Sequence, residues 1–344
     1  MSTPGTDAPP VPRRGRIAVP AVATGLILIM LTAAGLLAAN PQRVADQLAV
    51  WQYEPNAEIA RYADRTAMTD EGRFLFYASR PSIASGEEFD ELCSSGSEDV
   101  GVLGCYLHAD RTIHLFDVTD DRLDGMEEVV AAHEMLHAAW DRLGADERKR
   151  LGELLEAEVA RRADDEHLAE TLAFYDAREP GQRANELHSI IGTEYGDLDP
   201  ELEAHYARYF ADRSKVVELH EASNAVFLQQ QAAIDALIVQ LDELTASIDA
   251  DYAAYNGGYD QLNADILEFN DRVQSGQVRS QSQYDREVAG FEERQAELDA
   301  LFASIQARAD EHAGLVAQLE ELNAEVDELN ASINIQPREE QPAG

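Results

Sequence analysis

Apolar residues in the C-terminal third of the chain recur every three and four positions. From Ile234 they fall at Leu237, Leu241, Leu244 and Ile248, and then, after a shift of frame around Gly257-Gly258, at Tyr259, Leu262, Ile266, Phe269 and Val273. Such steps lay one apolar stripe along a helix, and a frame shift of this kind behaves as a stutter that locally unwinds a supercoil. Residues 274–283 lose the spacing and contain Gly276, so they read as a turn. A second run follows at Tyr284, Val288, Phe291, Leu298, Phe302 and Ile305, and it resumes at Leu315, Leu319, Leu322, Val326, Leu329 and Ile333. Two matched arms around one turn predict an antiparallel coiled-coil hairpin over 216–334, with arms of roughly 75–90 Å. Residues 335–344 read as a disordered tail.

The first two thirds carry shorter patterns. Residues 44–53 and 58–69 read as amphipathic helices, and 70–77 starts another that Arg80-Pro81 ends. Over 102–118 the period changes to alternation, with Tyr106 and His108 on one side of the turn-prone Ala109-Asp110-Arg111 and Ile113, Leu115 and Phe116 on the other, which predicts a β-hairpin. A helix then runs from Gly125 to a stop at Gly144. Further helices are expected at 145–163, 166–177 and around Glu186, and Asp199-Pro200 marks the start of one more. The expected fold is therefore mainly α, with an α+β part over 41–215.

The helix after the β-hairpin carries the chemistry. His133-Glu134-Met135-Leu136-His137 reads HExxH, and four residues are about one turn, so both imidazoles project from one face and can grip one zinc ion. Glu134 then stands beside the metal, where it can take a proton from bound water. The flanking Val129, Val130, Leu136 and Trp140 are apolar, and buried imidazoles in such a setting need partners. A zinc site needs a third protein ligand. No HxxGxxH extension follows His137, so a third histidine close behind the motif is not expected.

Together, HEMLH at 133–137 and NELHS at 185–189 resemble the two ligand helices of gluzincin metallopeptidases, a resemblance confined to about 50–215. It implies a zincin-like metallopeptidase domain that binds Zn2+ through His133, His137 and Glu186, with Glu134 as the catalytic base. It also implies that part of 102–118 forms an edge strand above the metal and pairs with extended substrate. The pattern departs from the family one turn after Glu186, where an orienting aspartate is common and this chain has Ile190. Glu194 and His188 stay open as third ligands, and Tyr195, His188 and His205 as donors to a developing oxyanion.

Composition sets the location and the partners. The net charge is −39, with 66 acids against 27 bases, and only Lys149 and Lys215 are lysines. That balance excludes a nucleic-acid partner, which needs a basic footprint. Residues 216–334 hold 24 acids against five arginines, so the arms present no basic surface. Near the N-terminus, 1–16 reads as a disordered cytoplasmic tail ending in Arg13-Arg14-Gly15-Arg16. Residues 17–39 are an uncharged run of 23, long enough to span a bilayer with the arginines inside; a signal peptide cut after Ala39 is the alternative. The two cysteines, Cys93 and Cys105, flank a Gly- and Ser-rich segment and predict a disulfide in an oxidising compartment.

Together these features lead to the expectation of a single-pass membrane protein with its bulk outside the cytoplasm, acting as a zinc peptidase on protein or peptide. The lipid bilayer engages the anchor, and a helical partner or a second copy engages the coiled coil. The competing expectation is a catalytically silent zincin-like domain that serves as an adaptor.

Overall fold

A computed structural model describes residues 41–93, 103–178 and 181–333. The expected anchor and both expected tails lie outside the described residues. Among the described residues, no helix is long and apolar enough to cross a membrane.

The chain is mainly helical with one small sheet. It runs through α1 (Pro41–Gln52), α2 (Ala57–Arg65), α3 (Asp70–Ala78), β1 (Ser82–Ala84), α4 (Gly86–Cys93), β2 (Gly104–Leu107), β3 (Thr112–Phe116) and a 3-10 turn at Asp121–Leu123. There follow α5 (Met126–Asp141), α6 (Ala145–Arg161), α7 (Glu166–Arg178), α8 (Arg183–Glu194), α9 (Pro200–Tyr206), α10 (Ser214–Gln274) and α11 (Gln281–Ser332). Side-chain caps start several of these: Asn56 accepts from the Ile59 N–H, Thr69 from Gly72 and Ser280 from Gln283. Asp199 caps α9 with Pro200 in the first turn, as its sequence predicts.

The centre of the body is α5. Ala131, Ala132, Met135, Leu136, Ala138 and Ala139 are all buried in the main core, together with Tyr62 of α2, Phe76 of α3 and Leu187, Ile190 and Ile191 of α8. Its alanines leave room for neighbours on several sides, which is why the helix shows little amphipathic contrast. It stops at Asp141, where the Arg142 N–H caps the Ala139 and Trp140 carbonyls, and Gly144 serves instead as the N-cap of α6.

The sheet has the order β1-β3-β2. β2 and β3 form the expected antiparallel hairpin, with Cys105 opposite His114 and Tyr106 opposite Ile113. β1 joins β3 in parallel, and neither β1 nor α4 is foreseen by the sequence pattern, because three residues are too few to show alternation. The Cys93–Cys105 disulfide closes α4 onto β2. Phe89 and Phe116 meet edge to face 5.4 Å apart in the small core beside it. β2 lies directly on α5: a Cβ at Gly104 would fall 2.6 Å from a Val130 methyl and 2.9 Å from Glu134 Cγ, so only glycine fits there.

The two long helices pair antiparallel. Phe269 of α10 meets Phe291 and Tyr284 of α11 at 5.5 and 5.4 Å, and Tyr255 meets Phe302 at 5.2 Å. The ion pairs Arg272–Glu287, Arg294–Asp265 and Arg308–Asp251 cross between the arms in the same register. At the frame shift α10 stays helical, and Gly258 leaves space for Leu298, whose Cδ2 would lie 2.5 Å from an added Cβ. The root of the hairpin belongs to the body. Val216 joins the main core, Leu219 packs on Gly125 at the start of α5, and Leu329 and Ile333 close over Leu123 with Val226 and Phe227. The 215/216 division therefore falls inside one continuous helix whose first turns are core.

α1 is fastened to the body by charge. Arg142 grips Asp46 through two bonds of 2.8 and 3.0 Å, with both side chains nearly inaccessible. Arg43 grips Glu71 and lies over the Phe74 ring at 3.8 Å. Asp46→Ala leaves Arg142 buried without its carboxylate, which should cost about 3–5 kcal/mol in urea unfolding. A loss below about 1 kcal/mol would mean the pair is not holding α1.

Candidate metal centre

The crossing of α8 over α5 builds the site. His133 and His137 stand one turn apart on α5 with their rings edge to face, centroids 4.7 Å apart. Glu186 reaches them from α8: its Oε2 lies 3.8 Å from His133 Nε2 and its Oε1 3.6 Å from His137 Nε2. Donor atoms around a tetrahedral zinc with bonds of about 2.0–2.1 Å sit about 3.3–3.4 Å from one another, so the three side chains already stand at close to ligand spacing. Glu134 is adjacent: donor atoms of His133, Glu134 and His137 all lie within 4.8 Å of one another. His133 is partly open to solvent, whereas Glu134, His137 and Glu186 are buried.

Electrostatics at the crossing favour a cation. Glu186 Oε2 is fully buried and has no hydrogen-bond partner among the described residues. An orphaned carboxylate oxygen in such a place is costly, and a cation between the three side chains would satisfy it. Burial works to raise the Glu186 carboxyl, but His137 and His133 beside it outweigh burial and hold it below the usual carboxylate range.

Behind His137, α8 supplies a support that the sequence did not single out. Asn185 Oδ1 lies 3.0 Å from His137 Nδ1, and Ser189 Oγ lies 3.3 Å from the same atom. The amide oxygen can only accept, so Nδ1 carries a proton, and Nε2 is the ring nitrogen that faces Glu186. Asn185 and Ser189 are four residues apart and share one face of α8, which places both against His137 Nδ1. Ile190 is instead buried in the core. The signal was present in the NELHS segment itself, but its register against His137 depends on the helix crossing.

The other candidates lie elsewhere. Glu194 is two turns beyond Glu186 and faces His220 of α10 at 4.0 Å. His188 is fully buried, shares a 2.8 Å hydrogen bond between Nε2 atoms with His205, and packs against Trp140 and Tyr206. Burial pushes His188 well down and His205 to about 4, so both are neutral structural groups at neutral pH. Tyr195 caps α8 beneath the Arg162 guanidinium at 4.8 Å. All three expected oxyanion donors are thus occupied in packing. At the far end of β2, exposed His108 meets Tyr106 edge to face at 5.0 Å, and one turn past His137 Asp141 binds Arg111 and the Tyr106 hydroxyl.

Comparisons with protein-family models, with curated proteins and with solved structures find no match to this chain.

Burial at the foot of α10 pushes the Glu194 carboxyl up to about 7, with His167 pulling it down and Asp165 pushing it further up. The unfolded chain ionises this group near its ordinary value of 4.5 and the folded chain only near 7. Stability is therefore full below about 4.5 and falls as pH rises through 7. Glu194→Gln should remove that fall, gaining about 2 kcal/mol over the parent at pH 8 relative to pH 5. Parallel pH–stability curves for the two proteins would contradict it.

Proposed function

We propose that this chain is a membrane-tethered, zinc-dependent peptidase of zincin-like fold that acts outside the cytoplasm. His133, His137 and Glu186 are its zinc ligands and Glu134 its general base. The observation that carries the reading is Glu186, whose two oxygens face the Nε2 atoms of both motif histidines and one of which has no other partner. A structural metal site has no need of a further carboxylate beside its ligands, and Glu134 stands there.

When bound, zinc supplies a water of lowered pKa and polarises the scissile carbonyl. Glu134, beside both motif histidines, would serve as the group that accepts a proton from an attacking water and returns it to the leaving amine. Its buried carboxylate lies beside Gly104 of β2 and close to both motif histidines. Asn185 and Ser189 keep His137 in the tautomer that binds metal. β2 is one of the two outer strands of the sheet among the described residues and abuts Glu134, a position from which an edge strand can pair with an extended peptide. The disulfide supports an oxidising compartment, and the uncharged run at 17–39 supports a single-pass anchor. The acidic helical hairpin is left to engage a helical partner or a second copy.

Elemental mass spectrometry on the purified full chain should find about one zinc per molecule. His133→Ala and Glu186→Ala should each lose it, and no zinc in a folded parent offered the metal would favour the silent adaptor instead. Glu134→Gln should keep the zinc while peptide hydrolysis falls about a hundred- to ten-thousandfold. Asn185→Leu should weaken zinc about 10–100-fold in competition with a chelator, and unchanged affinity would remove Asn185 from the site.

A further inference from the structure

α1 has one face with a partner and one without. Its inner face is committed: Asp46 is held by Arg142, Arg43 by Glu71, and Tyr53 just beyond it packs on Tyr77 at 6.0 Å and donates to the Pro81 carbonyl at 2.6 Å. On the opposite side Val44, Leu48 and Trp51 follow one another at helical spacing, so they form a single stripe. Leu48 is 48 % and Trp51 73 % exposed. No charged residue interrupts the stripe. Isolated exposed apolar residues need no explanation, but an exposed tryptophan one turn from an exposed leucine on a rigidly held helix does.

The chain leading into α1 identifies what covers it. The uncharged run 17–39 ends one residue before Pro41, the first residue of α1, so any bilayer that holds this run lies directly beside the stripe. Tryptophan is the side chain suited to the boundary between headgroups and acyl chains, and an amphipathic helix there sinks its apolar face about 5–10 Å.

We propose that α1 lies on the bilayer surface with Val44, Leu48 and Trp51 in the interface, and that this contact fixes the height of the metal centre above the membrane. The proposal rests on the reading of 17–39 as an anchor. The Asp46–Arg142 pair makes the contact rigid, because Arg142 directly follows α5 and lies five residues after His137, about 7.5 Å of helix rise. The whole chain carries a net charge of −39 and is repelled by anionic lipid, so the fitting surface is zwitterionic.

Trp51 is its own reporter, since the only other tryptophan, Trp140, is buried. The full chain with Trp140→Phe, placed in phosphatidylcholine nanodiscs, should emit at blue-shifted wavelength. It should lose roughly half its intensity or more when the acyl chains carry bromine, given the expected depth. If Trp140→Phe does not fold, the difference between the parent and Trp51→Phe gives the same signal. Leu48→Glu should shift the emission back to the red and remove most of the quenching. Three results would overturn the proposal. A chain that co-elutes with the discs while Trp51 stays unquenched keeps the anchor and loses the α1 contact. A chain that does not co-elute loses both. A blue shift that grows with protein concentration without bromine quenching assigns the stripe to a second copy.

Discussion

A carboxylate buried between two imidazoles, in the crossing of two helices, is stable only while something holds all three side chains in place. Here that is the packing of α8 on α5. Leu187, Ile190 and Ile191 lock one side of α8 into the core, and Leu136 and Met135 do the same for α5. The crossing is close enough that a Cβ at Gly192 would strike Leu136 Cδ1 at 2.5 Å. Glu186, Asn185 and Ser189 are thereby fixed against His133 and His137, with Glu186 Oε2 left without a hydrogen bond among the described residues. Any local shift would strand several buried polar groups at once, so the geometry of the proposed zinc site is set by the core and not by loops.

The remaining elements brace that crossing from outside. β2 presses on α5 at Gly104, where no side chain fits, and the disulfide ties β2 to α4. The His188–His205 pair fills the far side of α8 and joins it to α9, while Tyr206 donates from its hydroxyl to the His188 carbonyl at 2.8 Å. The foot of the long hairpin closes the start of α5 through Leu219 and Gly125. The body thus shares its core with the first turns of α10.

Charge is distributed with a similar economy. The arms of the hairpin hold five arginines, and three of them bridge α10 to α11. In the body, arginines are used as clamps: Arg142 on Asp46, Arg213 on Glu203, and Arg65 on Asp124 and Glu128. Most of the remaining acid lies at the surface.

How much of this was legible beforehand follows from the range of each interaction. Helix caps such as Asp199-Pro200, the one-turn spacing of His133 and His137 and the apolar stripes of the two arms are set within three or four residues, so the sequence alone determined them. Tertiary structure decided the rest. β1 is three residues long and exists only because β3 offers it an edge. Glu186 rather than Glu194 or His188 meets the histidines because of where α8 crosses α5, and His137 finds Asn185 across 48 residues of chain. Arg142 finds Asp46 across 96. Contacts at such separations depend on how whole helices pack, and periodicity along one helix carries no record of its neighbour's register.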